Sequence, residues 1–442
     1  MHQLAIALKK KGENVTGSDD EIFEPSRTNL EKEGLLPAKM GWNPEALYPG
    51  LDAVILGMHA RADNPELIKA KELGIPVYSF PEFVFEASKN KKRVVIGGSH
   101  GKTTTTSMIM HVLKEAGLSF DYLVGAKLQG FEQSVNITGA PVIICEGDEY
   151  PASALEKRPK FHFLFPHIAV LTGIAWDHIN VFPTWDIYLE QFKIFLDKIE
   201  SGGVLIFNQT DPVLAGLVKE NRRGDVKYIP YNIPEHVVVN GKTHLRFENE
   251  GIDLKVFGNH NLLNIHAAYL VCKELGVDTH SFLSAISHFT GASKRLEILA
   301  ENKTTTIYRD FAHAPSKVKA TIEAVRQQFP GRKLVAALEL HTYSSLNEAF
   351  MPHYKGALDP SDDACVFYSH HAMEIKKMPT LEEAVVKAGF ANEKVEVFTS
   401  RQVLEEWLYS RNYENTSLLL MSSGTYEGLD LVNLRDRIIS GE

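Results

Sequence analysis

The chain has 442 residues, too many for one ordinary core, so two or three domains are expected. It is 44% apolar and 23% charged, the balance of a globular protein that buries sizeable cores. A formal net charge of −9 argues against general attraction to nucleic acid or to anionic membrane surfaces, and leaves room for local basic pockets. No apolar stretch approaches the roughly 20 residues of a membrane span and no signal peptide opens the chain, so the cytoplasm is the expected location. Cys145, Cys272 and Cys365 stand far apart, with neither metal-ligand nor disulfide spacing. They read as small buried hydrophobes in a reducing compartment.

Leu4, Ala5 and Leu8 share one helical face, and Lys9 to Lys11 followed by Gly12 stop that helix. A short strand is expected at Asn14 to Thr16, then strands at Ala53 to Leu56 and Pro76 to Tyr78 around a helix from Pro65 to Leu73. Strands alternating with helices signify a parallel sheet. Such a unit normally opens on a strand. None precedes the first helix, which reads as a domain clipped of its first strand.

Lys89 to Lys92 reads as a linker. Beyond it a strand at Arg93 to Ile96 enters a glycine-rich loop, and a helix starts near Lys102 with Met108, Ile109, Val112 and Leu113 on its apolar face. Strands follow at Val142 to Cys145, Ile168 to Thr172 and Val204 to Phe207, and Leu262 to Leu275 is helical. After Arg295 the pattern restarts with strands at Thr305 to Tyr308, Leu334 to Leu338, Ala364 to Tyr368 and Ser417 to Met421. The expected partition is three α/β domains, 1–89, 90–299 and 300–442.

The loop reads Gly97-Gly98-Ser99-His100-Gly101-Lys102-Thr103-Thr104. Glycines let backbone N–H groups approach phosphate oxygens, the helix N-terminus adds partial positive charge, Lys102 adds a full one, and the Thr103 hydroxyl suits Mg²⁺. The general pattern places glycine where Ile96 stands. Glu146 follows directly on a strand, where a metal-holding carboxylate belongs in a parallel sheet, with Asp148 and Glu149 as alternatives. Trp176-Asp177-His178 follows another strand, which brings His178 to the same sheet edge as Lys102 and Glu146. Asn261 and Asn264 stand at a helix start, as caps or as readers of an adenine edge. Lys294-Arg295 is a surface pair or a phosphate clamp. Asp310 suits a ribose hydroxyl, and Phe311 offers a stacking face.

In this order, over essentially the whole chain, the elements resemble the Mur ligases, which build the peptide of the bacterial cell wall. The family shares the glycine-serine/threonine-x-glycine-lysine-threonine loop without the extra leading glycine, which accounts for Ile96. It also shares the acidic segment, the Asp-His pair, the Gly-x-His-Asn-x-x-Asn helix start, the basic pair and the Asp-aromatic-x-His-x-Pro turn. The resemblance implies a Rossmann-like domain for a UDP-sugar, a central ATPase domain and a Rossmann-like C-terminal domain for the incoming amine.

The chemistry it implies is activation of a substrate carboxylate by ATP as an acyl phosphate, which an amine then displaces. Gly98 to Thr104 and Lys102 would bind phosphates, Thr103 and Glu146 one Mg²⁺, and His178 a second. Asn261, Asn264, Asp310 and Phe311 would surround adenosine, and Arg295 would reach the phosphates. Ser18 and Asp19 would remain of the UDP-sugar contacts; His341, Ser344 and Ser422 would meet the amine substrate. Gly173 and Ala175 depart from the polar residues usual beside the Asp-His pair, which implies an altered second metal site.

One branch of the family joins UDP-N-acetylmuramate to L-alanine, another to the tripeptide L-alanyl-γ-D-glutamyl-meso-diaminopimelate. Glu156-Lys157-Arg158-Pro159-Lys160-Phe161, Leu338-Glu339-Leu340 and Met421-Ser422-Ser423-Gly424 lean to the tripeptide. His341-Thr342-Tyr343 resembles the alanine branch's His-Arg-Tyr without its arginine. A folate or cyanophycin type of ligase and a non-catalytic nucleotide-dependent module are the competing readings; the region before residue 89 argues against folate. A monomer and a dimer are equally compatible with the sequence.

Overall fold

The computed structural model describes residues 1–126, 128, 130–176, 181–291 and 296–440. They fall into two compact units, 1–174 with 185–232 and 267–277, and 175–184 with 233–266 and 278–442. No described helix is long and apolar enough to cross a membrane.

The first unit is built on a seven-stranded sheet in the order Val135–Asn136, Asp121–Leu123, Val142–Glu146, Lys92–Gly97, Ile168–Leu171, Val204–Asn208, Lys227–Tyr231. The first pair is antiparallel and every other pair is parallel. The Lys92–Gly97 strand lies inside the sheet, and Val94, Val95 and Ile96 are wholly buried, which explains a continuous apolar run rather than an alternating one. A smaller parallel pair, Val54–Leu56 with Val77–Ser79, belongs to the N-terminal segment. The Pro65–Glu72 helix starts where the sequence signals it, with Pro65 in its first turn and Asn64 accepting from the Glu66 and Leu67 amides.

One expectation is corrected here. Asn14 to Thr16 forms no strand, because no described neighbour offers that backbone a ladder. Between the Phe80–Ser88 helix and the Lys92–Gly97 strand the chain turns tightly: the Lys91 amide bonds the Ser88 carbonyl, and Lys91 is ion-paired at 2.7 Å with the buried Asp121.

The second unit carries a three-stranded antiparallel sheet, His236–Val239, Lys242–Phe247 and Glu250–Leu254, which the apolar patterning does not reveal. Its main sheet has six strands in the order Glu297–Glu301, Thr305–Asp310, Thr416–Met421, Lys333–Glu339, Asp363–Phe367, Val395–Phe398. Only the Glu297–Glu301 edge runs antiparallel. Successive strand residues alternate between two cores. Leu334, Ala336 and Leu338 pack with the Pro315–Gln328 helix, whereas Val335 and Ala337 pack with the Arg401–Tyr409 and Leu431–Ser440 helices. Cys145, Cys272 and Cys365 are all buried free thiols, as expected, and burial pushes Cys145 up to about 12.

Arg93 joins the two parts of the first unit. Its guanidinium donates to the carbonyls of Phe165, Ser88 and Lys89 at 2.9–3.1 Å and to Glu200 at 2.7 Å, and lies over the Phe85 ring. Arg93→Met strands the buried Ser88 carbonyl and removes the partners of two half-buried ones, so a loss of about 2–4 kcal/mol of stability is expected. A lowered chemical-denaturation midpoint measures it.

Candidate active site

Three neighbouring strands end level with one another in the first unit. Ile96 pairs with Glu146 and Gly97 with Leu171, so the loop after Lys92–Gly97 leaves the sheet beside both neighbouring ends. The loop is pinned to the Ile168–Leu171 side. The Ser99 amide bonds the Gly173 carbonyl at 2.9 Å, the Thr172 hydroxyl reaches the Gly97 and His100 carbonyls, and the Ser99 hydroxyl bonds Tyr188 at 2.7 Å. Gly98 has φ +123°, and a Cβ there would stand 2.2 Å from the Thr172 hydroxyl oxygen. Only glycine lets the backbone pass so closely. Gly101 precedes the Lys102–Glu115 helix, whose N-terminal amides face the loop, and Thr104 is buried in its first turn.

The charged side chains pair in a definite way. Lys102 donates to the Gly98 carbonyl and to Glu149, both at 2.6 Å. Lys160 is paired with Asp148 at 2.7 Å. Glu146 accepts the Thr103 hydroxyl at 2.7 Å and the Gly125 amide at 2.9 Å. Of the three candidate acids, Glu146 alone is therefore matched to the hydroxyl rather than to a lysine. Burial pulls the Lys102 ammonium down, but Glu149, Asp148 and Glu146 outweigh it and hold its pKa above the usual value. Burial pushes the Asp148 carboxyl up, and Lys160 with Lys102 more than offsets this, so it titrates below the ordinary range.

A hydroxyl beside one carboxylate is a hard-oxygen donor pair suited to Mg²⁺, which commonly takes few protein ligands and completes its shell with phosphate and water. The described residues contain no cluster of three or more His, Cys, Asp or Glu that would hold a metal by itself.

Beyond Thr172 the backbone is steered by Asp211, which caps the Pro212–Glu220 helix and accepts the Ile174 amide at 2.7 Å. Gly173 has φ +150°, and a Cβ there would lie 2.9 Å from Asp211. This gives a physical reason for glycine at a position that departs from the family pattern. His178 and Arg295, with Lys294, lie outside the described residues.

Ser18 is bonded to Glu66 at 2.5 Å, and burial together with Asp20 raises the Asp19 carboxyl. In the second unit, Asn261 and Asn264 sit buried within the first turns of the Asn259–Glu274 helix, and the Asn261 amide group donates to Phe257. Asp310 is buried and accepts from the Ala312 amide at 2.6 Å and the Leu296 amide at 2.5 Å, so it shapes its own turn. Phe311 packs edge-on against His313, with ring centroids 5.3 Å apart.

At another strand end of this unit, Ser422 donates to Glu339, and His341 Nδ1 lies 3.8 Å from the same carboxylate. Ser344 contributes its carbonyl to the Asn347 amide, while buried Ser345 ties the turn through Thr342. Glu149 was expected only as an alternative to Glu146 and is instead the partner of Lys102, and Glu339, quoted only within Leu338-Glu339-Leu340, is the residue joining Ser422 to His341. The signal for Glu339 is a lone charge ending an apolar strand.

Three family models together match most of the chain: Mur ligase family, catalytic domain, over 1–92; Mur ligase middle domain over 96–272; and Mur ligase, glutamate ligase domain, over 294–424. A UDP-N-acetylmuramate–L-alanine ligase of Aquifex aeolicus is 31% identical over 92% of this chain and 90% of its own length. Its counterpart in an Arthrobacter strain is 31% identical over 85% of this chain and 80% of its own. Among solved structures, a UDP-N-acetylmuramate–alanine ligase from Thermotoga maritima superposes with a TM-score of 0.67 at 21% identity, covering 100% of this chain and 96% of the other. A murein peptide ligase from Psychrobacter arcticus gives 0.62 at 21%, with the same coverage. At that identity the two structures speak for the fold.

Replacing Gly98 by alanine forces the loop off Thr172 while leaving the buried strands intact. Gly98→Ala is expected to weaken ATP binding by at least about tenfold with an unchanged circular dichroism spectrum. Titration calorimetry with a non-hydrolysable ATP analogue reads the affinity.

Proposed function

We propose, on the premise that this chain belongs to the Mur ligase family, that it joins the lactyl carboxylate of UDP-N-acetylmuramate to the amine of L-alanyl-γ-D-glutamyl-meso-diaminopimelate. Members of the family are ATP-dependent amide ligases of the peptidoglycan pathway, and this chain is one. The observation that carries the reading is the loop at the strand edge, where Lys102 and the Thr103–Glu146 pair stand together.

The substrate carboxylate oxygen attacks the γ-phosphorus of ATP; the bond to the β-phosphate oxygen breaks, and ADP leaves. The amine nitrogen then attacks the acyl carbon, a C–N bond forms, phosphate departs with the former carboxylate oxygen, and the amine loses a proton to solvent. Phosphoryl transfer of this kind is driven by positioning and by stabilising charge on the transferring group. Lys102 and the backbone amides of the loop fill that role. Mg²⁺, for which Thr103 and Glu146 offer oxygen ligands, neutralises phosphate charge when bound.

The choice of amine rests on Thr342, which stands where the alanine branch has arginine. A free amino acid's carboxylate has there lost an obvious bidentate partner, whereas the alanyl carboxyl of the tripeptide is already an amide. The names of the curated relatives favour the second reading, ligation of L-alanine itself.

Phosphate release measured with UDP-N-acetylmuramate and either amine separates these readings. Release is expected to require the sugar nucleotide and to favour the tripeptide at least tenfold in kcat/KM. A preference for L-alanine would overturn the choice of amine, and release without any amine would point to a nucleotide-dependent module. Lys102→Ala should lower turnover by at least about a hundredfold with the fold retained; wild-type-like turnover would sink the role of the loop.

A further inference from the structure

The main sheet of the second unit has a place at its strand ends that the phosphate chemistry does not use. Lys333–Glu339 and Thr416–Met421 are parallel neighbours, with Leu338 opposite Met421. Their continuations part. After Glu339 the chain packs Phe350, Met351 and Tyr354 into the core on one face of the sheet; after Met421 it sends Leu434 and Ile438 to the core on the other. Where neighbouring connections diverge in this way, a crevice opens at the carboxyl ends of the strands, the usual ligand position in open parallel sheets.

The floor of that crevice is a carboxylate. The Glu339 side chain is only 3% exposed, yet among the described residues no lysine or arginine pairs with it. Oε2 accepts the Ser422 hydroxyl and, at 2.8 Å, the Tyr426 amide. Oε1 accepts no hydrogen bond among the described residues and faces His341 Nδ1 at 3.8 Å. Gly424 packs directly against this pair: a Cβ there would stand 2.8 Å from Glu339 Oε2 and 2.9 Å from the His341 ring, so only glycine leaves both side chains where they are. A carboxylate fixed by one oxygen and open at the other is preorganised for a cationic N–H donor, the stronger kind of hydrogen bond.

We propose that Glu339 recognises the protonated amine of the second substrate and selects amines whose neighbouring carboxyl is already bound in an amide. The assignment rests on the ligase reading above. An ammonium on Oε1 is attracted to the anion, and it gives up one proton to solvent before the neutral nitrogen attacks the acyl carbon. A free α-carboxylate two bonds from that nitrogen would be drawn toward the same anion and repelled by it, in a site shielded from water. A peptide amide in that position carries no charge and meets no such penalty. Glu339 thus supplies a repulsive element against free amino acids beside its attraction for the amine.

Glu339→Gln in the full chain keeps the shape and removes the charge. The KM for the tripeptide is expected to rise at least tenfold, the KM for ATP to stay within twofold, and the preference over L-alanine to narrow. Gly424→Ala, whose Cβ would displace the Glu339 carboxylate or the His341 ring while keeping the charge, should raise the tripeptide KM selectively as well, and carries the test should Glu339→Gln fail to fold. An unchanged tripeptide KM in a folded variant, or an equal rise for ATP, overturns the assignment alone while wild-type turnover still supports the ligase. A wild-type chain that prefers L-alanine overturns the selection rule. One that ligates neither amine overturns the ligase reading and this assignment with it.

Discussion

The in-register parallel pairing of Lys92–Gly97 with its two neighbours fixes what the first unit gathers at the carboxyl edge of its sheet. Because Ile96 is opposite Glu146 and Gly97 opposite Leu171, the loop, the acid and the Thr172 hydroxyl emerge at one edge. A one-residue slip would turn each of these side chains to the other face. The loop is then held by polar contacts that run on through the next strand end: Thr172 bonds the Gly97 and His100 carbonyls, Asn208 bonds the Thr172 carbonyl, and Asp211 holds the Ile174 amide. Donors aimed in advance at a phosphate gain most when they need no rearrangement at the moment of reaction.

The same logic explains what the sequence makes legible. Buried strands such as Val142–Glu146 and Lys333–Glu339 announce themselves as apolar runs, and the loop announces itself by glycine spacing, since both signals are local. The antiparallel sheet from His236 to Leu254 does not, because His236–Val239 is largely exposed and Lys242–Phe247 alternates polar and apolar residues. Asn14 to Thr16 has the composition of a strand, but a strand exists only where a neighbour completes its ladder. At the site, Lys102, Thr103 and Glu146 follow from motif and position. Glu149 does not, since an acidic run looks like a set of interchangeable ligands until the fold sends Glu149 to Lys102 and Asp148 to Lys160.

That division of partners has a chemical consequence. Lys102 is paired with Glu149 at 2.6 Å in a setting where Glu149 is 1% exposed, so on the proposed reading phosphate competes with a buried carboxylate for the same ammonium. Such competition keeps a buried lysine charged and aimed at the loop when no nucleotide is present. It also tempers affinity for nucleotide, which suits a ligase that must release ADP after each turnover. Glu146, by contrast, accepts from neutral donors, the Thr103 hydroxyl and the Gly125 amide, and no lysine or arginine pairs with it among the described residues.

Glu339 shows the opposite arrangement, a carboxylate with one oxygen satisfied by neutral donors and no lysine or arginine beside it among the described residues. The difference follows from the two halves of the reaction. Activating a carboxylate gathers negative charge on phosphate and calls for cations, whereas capturing an amine starts from a positive nitrogen and calls for an anion. An arginine at position 342 would serve a free amino acid's carboxylate, and Thr342 offers no such partner. On the proposed reading, Thr342 and a Glu339 carboxylate with no lysine or arginine beside it among the described residues favour the same kind of substrate. Both fit a substrate whose nitrogen is bound as an ammonium next to a peptide bond and attacks once it has given up a proton.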